Sequence, residues 1–155
     1  MQSSIQKMTR AGIIAALYVA LCLVFNATSF GVIQFRPAEA FTLLPILFPE
    51  AIPGIFIGVL IANLFGGVGL VDIIFGSLIS LLAAYLTWIW RHSFLAYLSP
   101  IVLNAFLVSL YLHAFFNTPY WYMVLSIGIS QSLVIVLLGV PLITYIRKKA
   151  SIPKE

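Results

Sequence analysis

Residues 33–78 read IQFRPAEAFTLLPILFPEAIPGIFIGVLIANLFGGVGLVDIIFGSL. The stretch holds two apolar runs, Ala38–Phe48 and Ile52–Phe65, and both are short. The first carries Pro45 and is closed by Pro49; the second carries Pro53 and is followed by the Gly-rich loop GGVGLVD. Short, Pro-interrupted apolar segments can sit in a membrane only where neighbouring helices satisfy the freed backbone groups. The rest of the chain therefore has to supply those neighbours.

It does. Upstream, an apolar run from Ala11 to about Phe30 follows Lys7 and Arg10. A signal peptide starts the same way, but this run is long and further apolar segments follow at once. Downstream come Val71–Trp90, stopped by Arg91 and His92, then about Leu95–Phe116, then the turn Asn117-Thr118-Pro119. Tyr120–Ile146 is last and ends at Arg147, Lys148 and Lys149. Composition agrees. Hydrophobic residues make up 63% of 155 and charged residues 8%, against about 25% charged in soluble domains. The single Cys22 rules out a disulfide framework and the sites that need several cysteines.

The expected fold is an all-α integral membrane protein in a single domain, 1–155. Its six transmembrane helices would cover about 11–30, 38–49, 52–66, 71–90, 95–116 and 120–146. Lys7, Arg10, Arg91, Arg147, Lys148, Lys149 and Lys154 all fall on one side of that topology, leaving only Arg36 opposite. Basic residues are retained on the cytoplasmic side, so both termini are expected inside. The net charge of +4 then marks a membrane face, and no nucleic-acid partner is expected.

Most of the remaining polar chemistry gathers toward the outer side. Arg36 and Glu39 flank the second segment; Asn63 closes the third and Asp72 opens the fourth; His113, Tyr120, Trp121 and Tyr122 surround the last outer turn. At 100° per residue, Asn104 and Tyr111 share one face of the fifth helix, and Gln131 shares a face of the sixth with Tyr120. Unpaired amides at mid-membrane depth cost several kcal/mol, so Asn104 and Gln131 are expected to face the bundle interior. Each residue has a plainer alternative. Arg36 and Glu39 can pair with one another, Asp72 can cap a helix, the amides can be hydrogen-bond glue between helices, and Tyr122 fits the aromatic belt.

Small residues form a second pattern. Gly12, Ala16 and Ala20 recur every four positions on the first helix, Ala11 and Ala15 form another frame, and Gly54 and Gly58 make a GxxxG. Such spacing permits close helix approach, within the chain or to a partner. Motifs for zinc proteases, nucleotide loops and redox cysteines are missing, as is a nucleophile–base pair in motif context. The sequence therefore predicts no enzyme, no cofactor and no metal site.

The Gln34–Glu39 string Q-F-R-P-A-E, Ala62-Asn63, Asp72 with Phe75-Gly76-Ser77, and the later Pro100, Asn104 and Leu138–Leu142 resemble the QueT family of predicted substrate-binding (S) components of energy-coupling factor (ECF) importers. The resemblance implies a multi-pass protein of a bacterial plasma membrane, surrounded by lipid bilayer. Its cargo would be a queuosine precursor of the 7-deazaguanine type, passed to a transmembrane T subunit with two ATPase subunits. It also implies a pocket using Asp72, Asn104 and Gln131, with Gln34 and Arg36 in a lid. Together with the residue chemistry, the expected substrate-binding set is Gln34, Arg36, Glu39, Asp72, Asn104, Tyr111, Tyr120, Trp121 and Gln131. Gly12, Ala16 and Ala20 are the expected T-subunit contact, Gly12 standing where many S components have Ala. Two rivals stay open: an S component for another vitamin, and a structural membrane protein resembling the MreD family.

Overall fold

A computed structural model describes residues 3–29, 35–67 and 69–150. Gln34 lies outside the described residues. Six main helical segments are seen: α1 (Ser4–Val24), α2 (Pro37–Ile46), α3 (Ala51–Gly66), α4 (Asp72–Ile89), α5 (Leu95–Phe116) and α6 (Tyr120–Lys149). Among the described residues there is no strand.

Four of the six, α1, α4, α5 and α6, are long and apolar enough to cross a membrane. The two central segments fall short. α2 is a 10-residue 3-10 helix, begun by Pro37 and interrupted by Pro45. At about 2.0 Å rise per residue it extends only about 20 Å, against a hydrocarbon thickness of about 30 Å. α3 has 16 residues, about 24 Å at helical rise. The expected second and third spans are thus helical, but neither has the length of an independent crossing.

Local chemistry explains the ends. Ser3 and Gln6 form a reciprocal capping box at the start of α1. Gly67 closes α3 in the left-handed conformation, φ 67°, and Asn117 does the same for α5 at φ 57°. α6 finishes on Arg147, Lys148 and Lys149, cations at the negative end of a helix dipole.

Packing follows from small residues. A Cβ on Gly54 would stand 2.6 Å from the Ala11 carbonyl oxygen, and one on Gly58 would stand 2.9 Å from Tyr18 Cβ and 3.2 Å from Ala15 Cα. The Ala11/Ala15 frame therefore faces α3, while Gly12, Ala16 and Ala20 lie on the exposed side of α1. Gly139 of α6 similarly makes room for Leu43 of α2, whose Cδ1 would be 2.9 Å from an added Cβ. Tyr18, Leu43, Ile55, Val59, Ile135 and Ile143 fill the resulting core. Outside it, Leu17, Ile57, Phe106, Leu125 and Val136 are exposed apolar side chains, as lipid contact requires. At one end of α1, Arg10 pairs with Glu50 and lies 4.3 Å over the Phe48 ring. Near the α4–α5 connection, Thr87 and Ser99 hydroxyls bond at 2.9 Å.

Candidate ligand-binding site

Three of the long helices depart from regular α geometry, and two of the departures carry polar residues. Asp72–Gly76 of α4, Asn104–Val108 of α5 and Ile135–Gly139 of α6 are π turns. Such turns add a residue to the helical repeat and often accompany functional sites. Here Asp72 and Asn104 each begin one, and both side chains are buried.

Glu39 is the centre of the polar cluster. It projects from α2 and is 4% exposed. Oε1 accepts a hydrogen bond from the Tyr18 hydroxyl of α1. Oε2 accepts from Asn104 Nδ2 of α5 at 3.2 Å and from Gln131 Nε2 of α6 at 3.3 Å. One carboxylate thus joins four helices. A buried carboxylate needs donors around it, and Glu39 has three.

Asp72 is arranged differently. Its Oδ1 accepts from the Tyr111 hydroxyl, and its main-chain carbonyl accepts from Asn63 Nδ2 at 3.1 Å. Oδ2 is buried and has no hydrogen-bond partner. Helix capping does not account for this residue, because its side chain accepts from Tyr111 and from no main-chain N–H. Asn63 also accepts from Arg36 Nη1 at 3.3 Å through its Oδ1, and Arg36 Nε donates to the Ser29 carbonyl at 3.4 Å. Burial works against the Arg36 charge, but the Glu39 and Asp72 carboxylates nearby help to outweigh it and hold its pKa above the ordinary value.

These groups enclose a cavity of about 30 Å³, room for about two water molecules. Arg36, Glu39, Asp72, Asn104, Tyr111 and Gln131 line it, with Gly76, Ser80, Val108 and Ile127. Six of the nine residues expected to touch substrate are therefore together. Tyr120 and Trp121 are not among them. Trp121 is 69% exposed, and Tyr120 packs edge-on against it and against His113. His113 is exposed and bonds the Thr118 carbonyl at 2.7 Å. These rings pack together beside the turn between α5 and α6.

Two members of the cluster carried no weight in the expected substrate set. Asn63 is fully buried and bridges Arg36 to Asp72; its position at the end of an apolar run was the available signal. Tyr18 is fully buried on the inward face of α1, and nothing in its apolar sequence neighbourhood distinguishes it. Phe75 is exposed and does not line the cavity, but its ring backs Tyr111 at 6.2 Å, nearly parallel at 26°. Among the described residues no group of His, Cys, Asp and Glu could hold a metal ion.

Membrane-length helices gathered around a buried polar cavity define a multi-pass membrane protein. The chain belongs to the QueT transporter family, whose model matches residues 8–148. Its class of activity is accordingly transport rather than catalysis, with a small molecule as substrate. No curated protein and no solved structure gives a significant match to the chain.

Proposed function

We propose that this protein is the substrate-binding S component of an ECF-type importer, taking up a 7-deazaguanine precursor of queuosine. It captures the base from outside the plasma membrane and passes it to a T subunit driven by two ATPase subunits. The observation that carries the reading is the buried, unpartnered Asp72 Oδ2 in a cavity bordered by Asn104 and Gln131. A buried carboxylate oxygen without a donor is costly, and a ligand N–H relieves it.

The chemistry suits a 7-deazaguanine. Its pairing edge carries N–H donors for Asp72 and Glu39, and its carbonyl suits an amide N–H of Asn104 or Gln131. Tyr111, which lines the cavity and is backed by Phe75, offers a ring surface for the flat face. Since about 30 Å³ is too little for a bicyclic base, binding displaces the side chains that now fill the site. Arg36 and Gln34 close over the ligand in this reading, Tyr120 and Trp121 border the entrance, and Gly12, Ala16 and Ala20 meet the T subunit.

The test is titration of the purified protein with 7-aminomethyl- and 7-cyano-7-deazaguanine and queuine, beside riboflavin, thiamine and biotin. A deazaguanine Kd below about 1 μM, worth about 8 kcal/mol, is expected. Tight binding of a different vitamin, or of none, removes the substrate assignment. Co-purification of a T subunit and ATPases supports the importer; recovery of cell-wall machinery in their place overturns it.

A further inference from the structure

Glu39 has two unlike oxygens. Oε2 is reached by Asn104 and Gln131, both of which line the cavity. Oε1 is reached by Tyr18, which is fully buried and does not line the cavity. The phenol therefore meets the carboxylate from behind. It satisfies one oxygen and leaves the other to face the ligand.

Nothing else described fixes that orientation as directly. The terminal torsion of a Glu side chain is broad and soft, so a carboxylate held only by two amides on one oxygen could rotate and exchange its oxygens. The phenol itself has little freedom. Its Cβ sits over Gly58, where an added Cβ would come within 2.9 Å of it, and the helix that carries it packs closely on α3 through Ala11 and Ala15. The rigid pairing of α1 with α3 is thus transmitted through one hydroxyl to the carboxylate at the site.

We propose that Tyr18 is a positioning residue of the binding site: it touches no ligand, but its hydroxyl orients Glu39 so that Oε2 is presented to the cavity. The inference rests on the cavity being the substrate site.

Two ring-bearing variants separate this role from packing. Tyr18→Phe keeps the ring over Gly58 and removes only the donor. Replacement of Tyr18 by p-aminophenylalanine keeps the ring and restores an N–H donor. Ligand affinity is measured for wild type and both variants, using the tightest binder among the three deazaguanine compounds, thiamine, riboflavin and biotin. The expected result is a loss of about tenfold or more in Tyr18→Phe, the scale of one hydrogen bond to a charged group. The amino variant should recover to within about threefold of wild type on the same scale. In a Glu39→Gln background, Tyr18→Phe should cause a smaller loss, because an amide oxygen accepts the phenol hydrogen bond more weakly than a carboxylate does.

Equal affinity in Tyr18→Phe and wild type overturns the proposal, and so does failure of the amino variant to recover when its melting temperature matches wild type. An undiminished further loss in the Glu39→Gln background also overturns it, since Tyr18 would then act elsewhere. The substrate reading fails separately. If thiamine or another vitamin is the ligand and Tyr18→Phe weakens it, the positioning role stands without the deazaguanine. If wild type binds no member of the panel, both are removed.

Discussion

Asn63 and Asp72 are nine residues apart and lie on successive helices, yet the side-chain amide of the first donates to the main-chain carbonyl of the second at 3.1 Å. Because Asn63 also accepts from Arg36 at 3.3 Å, one amide ties the chain before α2, the end of α3 and the π turn that opens α4. The arrangement needs Gly76. A Cβ there would stand 3.0 Å from Asn63 Nδ2 and 3.3 Å from Asp72 Oδ1.

Replacing Asn63 by Leu keeps a comparable volume and removes both bonds. The Asp72 carbonyl loses a donor, and Arg36 loses one acceptor. A stability loss of about 2–4 kcal/mol is expected, one to two buried polar groups left unsatisfied. Thermal melting in detergent measures it, and a melting temperature equal to wild type would show that the bridge contributes nothing.

The glycines of α1 and α3 should respond in opposite senses. Gly54→Ala places a methyl group 2.6 Å from the main-chain oxygen of Ala11, and a backbone atom cannot move aside cheaply. A loss of about 1–3 kcal/mol is expected from overpacking. Gly12 has nothing within 4 Å of an added Cβ, so Gly12→Ala should be neutral or stabilising by up to about 1 kcal/mol through helix propensity. Melting both variants side by side tests the assignment of faces.

Asp72→Asn separates the two carboxylates. It keeps an oxygen for the Tyr111 hydroxyl but removes the charge and can turn an NH₂ toward the ligand. Affinity for the bound deazaguanine should fall by about 10-fold or more, the cost of one charge-assisted hydrogen bond. An unchanged Kd in the same titration would remove Asp72 from the site.

Much of this arrangement was legible because lipid makes polar residues conspicuous. Asn104 and Gln131 had to face inward, and both do, meeting on Glu39. The breaks at Pro45, Pro49 and Pro53 announced short central segments, although the compact 3-10 geometry of α2 follows from packing as well as from proline. Periodicity cannot foresee a π turn, and each one changes which residues share a face; angles drawn on a regular helix past Asp72 or Asn104 therefore drift. Tyr18 was hidden for a different reason. Its partner Glu39 is 21 residues away, and only the tertiary fold pairs them. The two small-residue frames of α1 were visible from spacing alone, but which one faces inward depended on where Gly54 and Gly58 lie.

That assignment of faces gives the last prediction. With Ala11 and Ala15 against α3 and Tyr18 turned to Glu39, the Gly12/Ala16/Ala20 face of α1 is exposed among the described residues. Small residues in that spacing let another helix approach closely, and the T subunit is the partner proposed for it. Ala16→Trp fills the face with a large ring while leaving the core untouched. Co-purification with the T subunit should be lost, and ligand affinity should stay within about threefold of wild type, less than 1 kcal/mol. Retained co-purification would move the contact to another surface, whereas loss of ligand binding as well would show that the exposed face of α1 is coupled to the cavity through Tyr18.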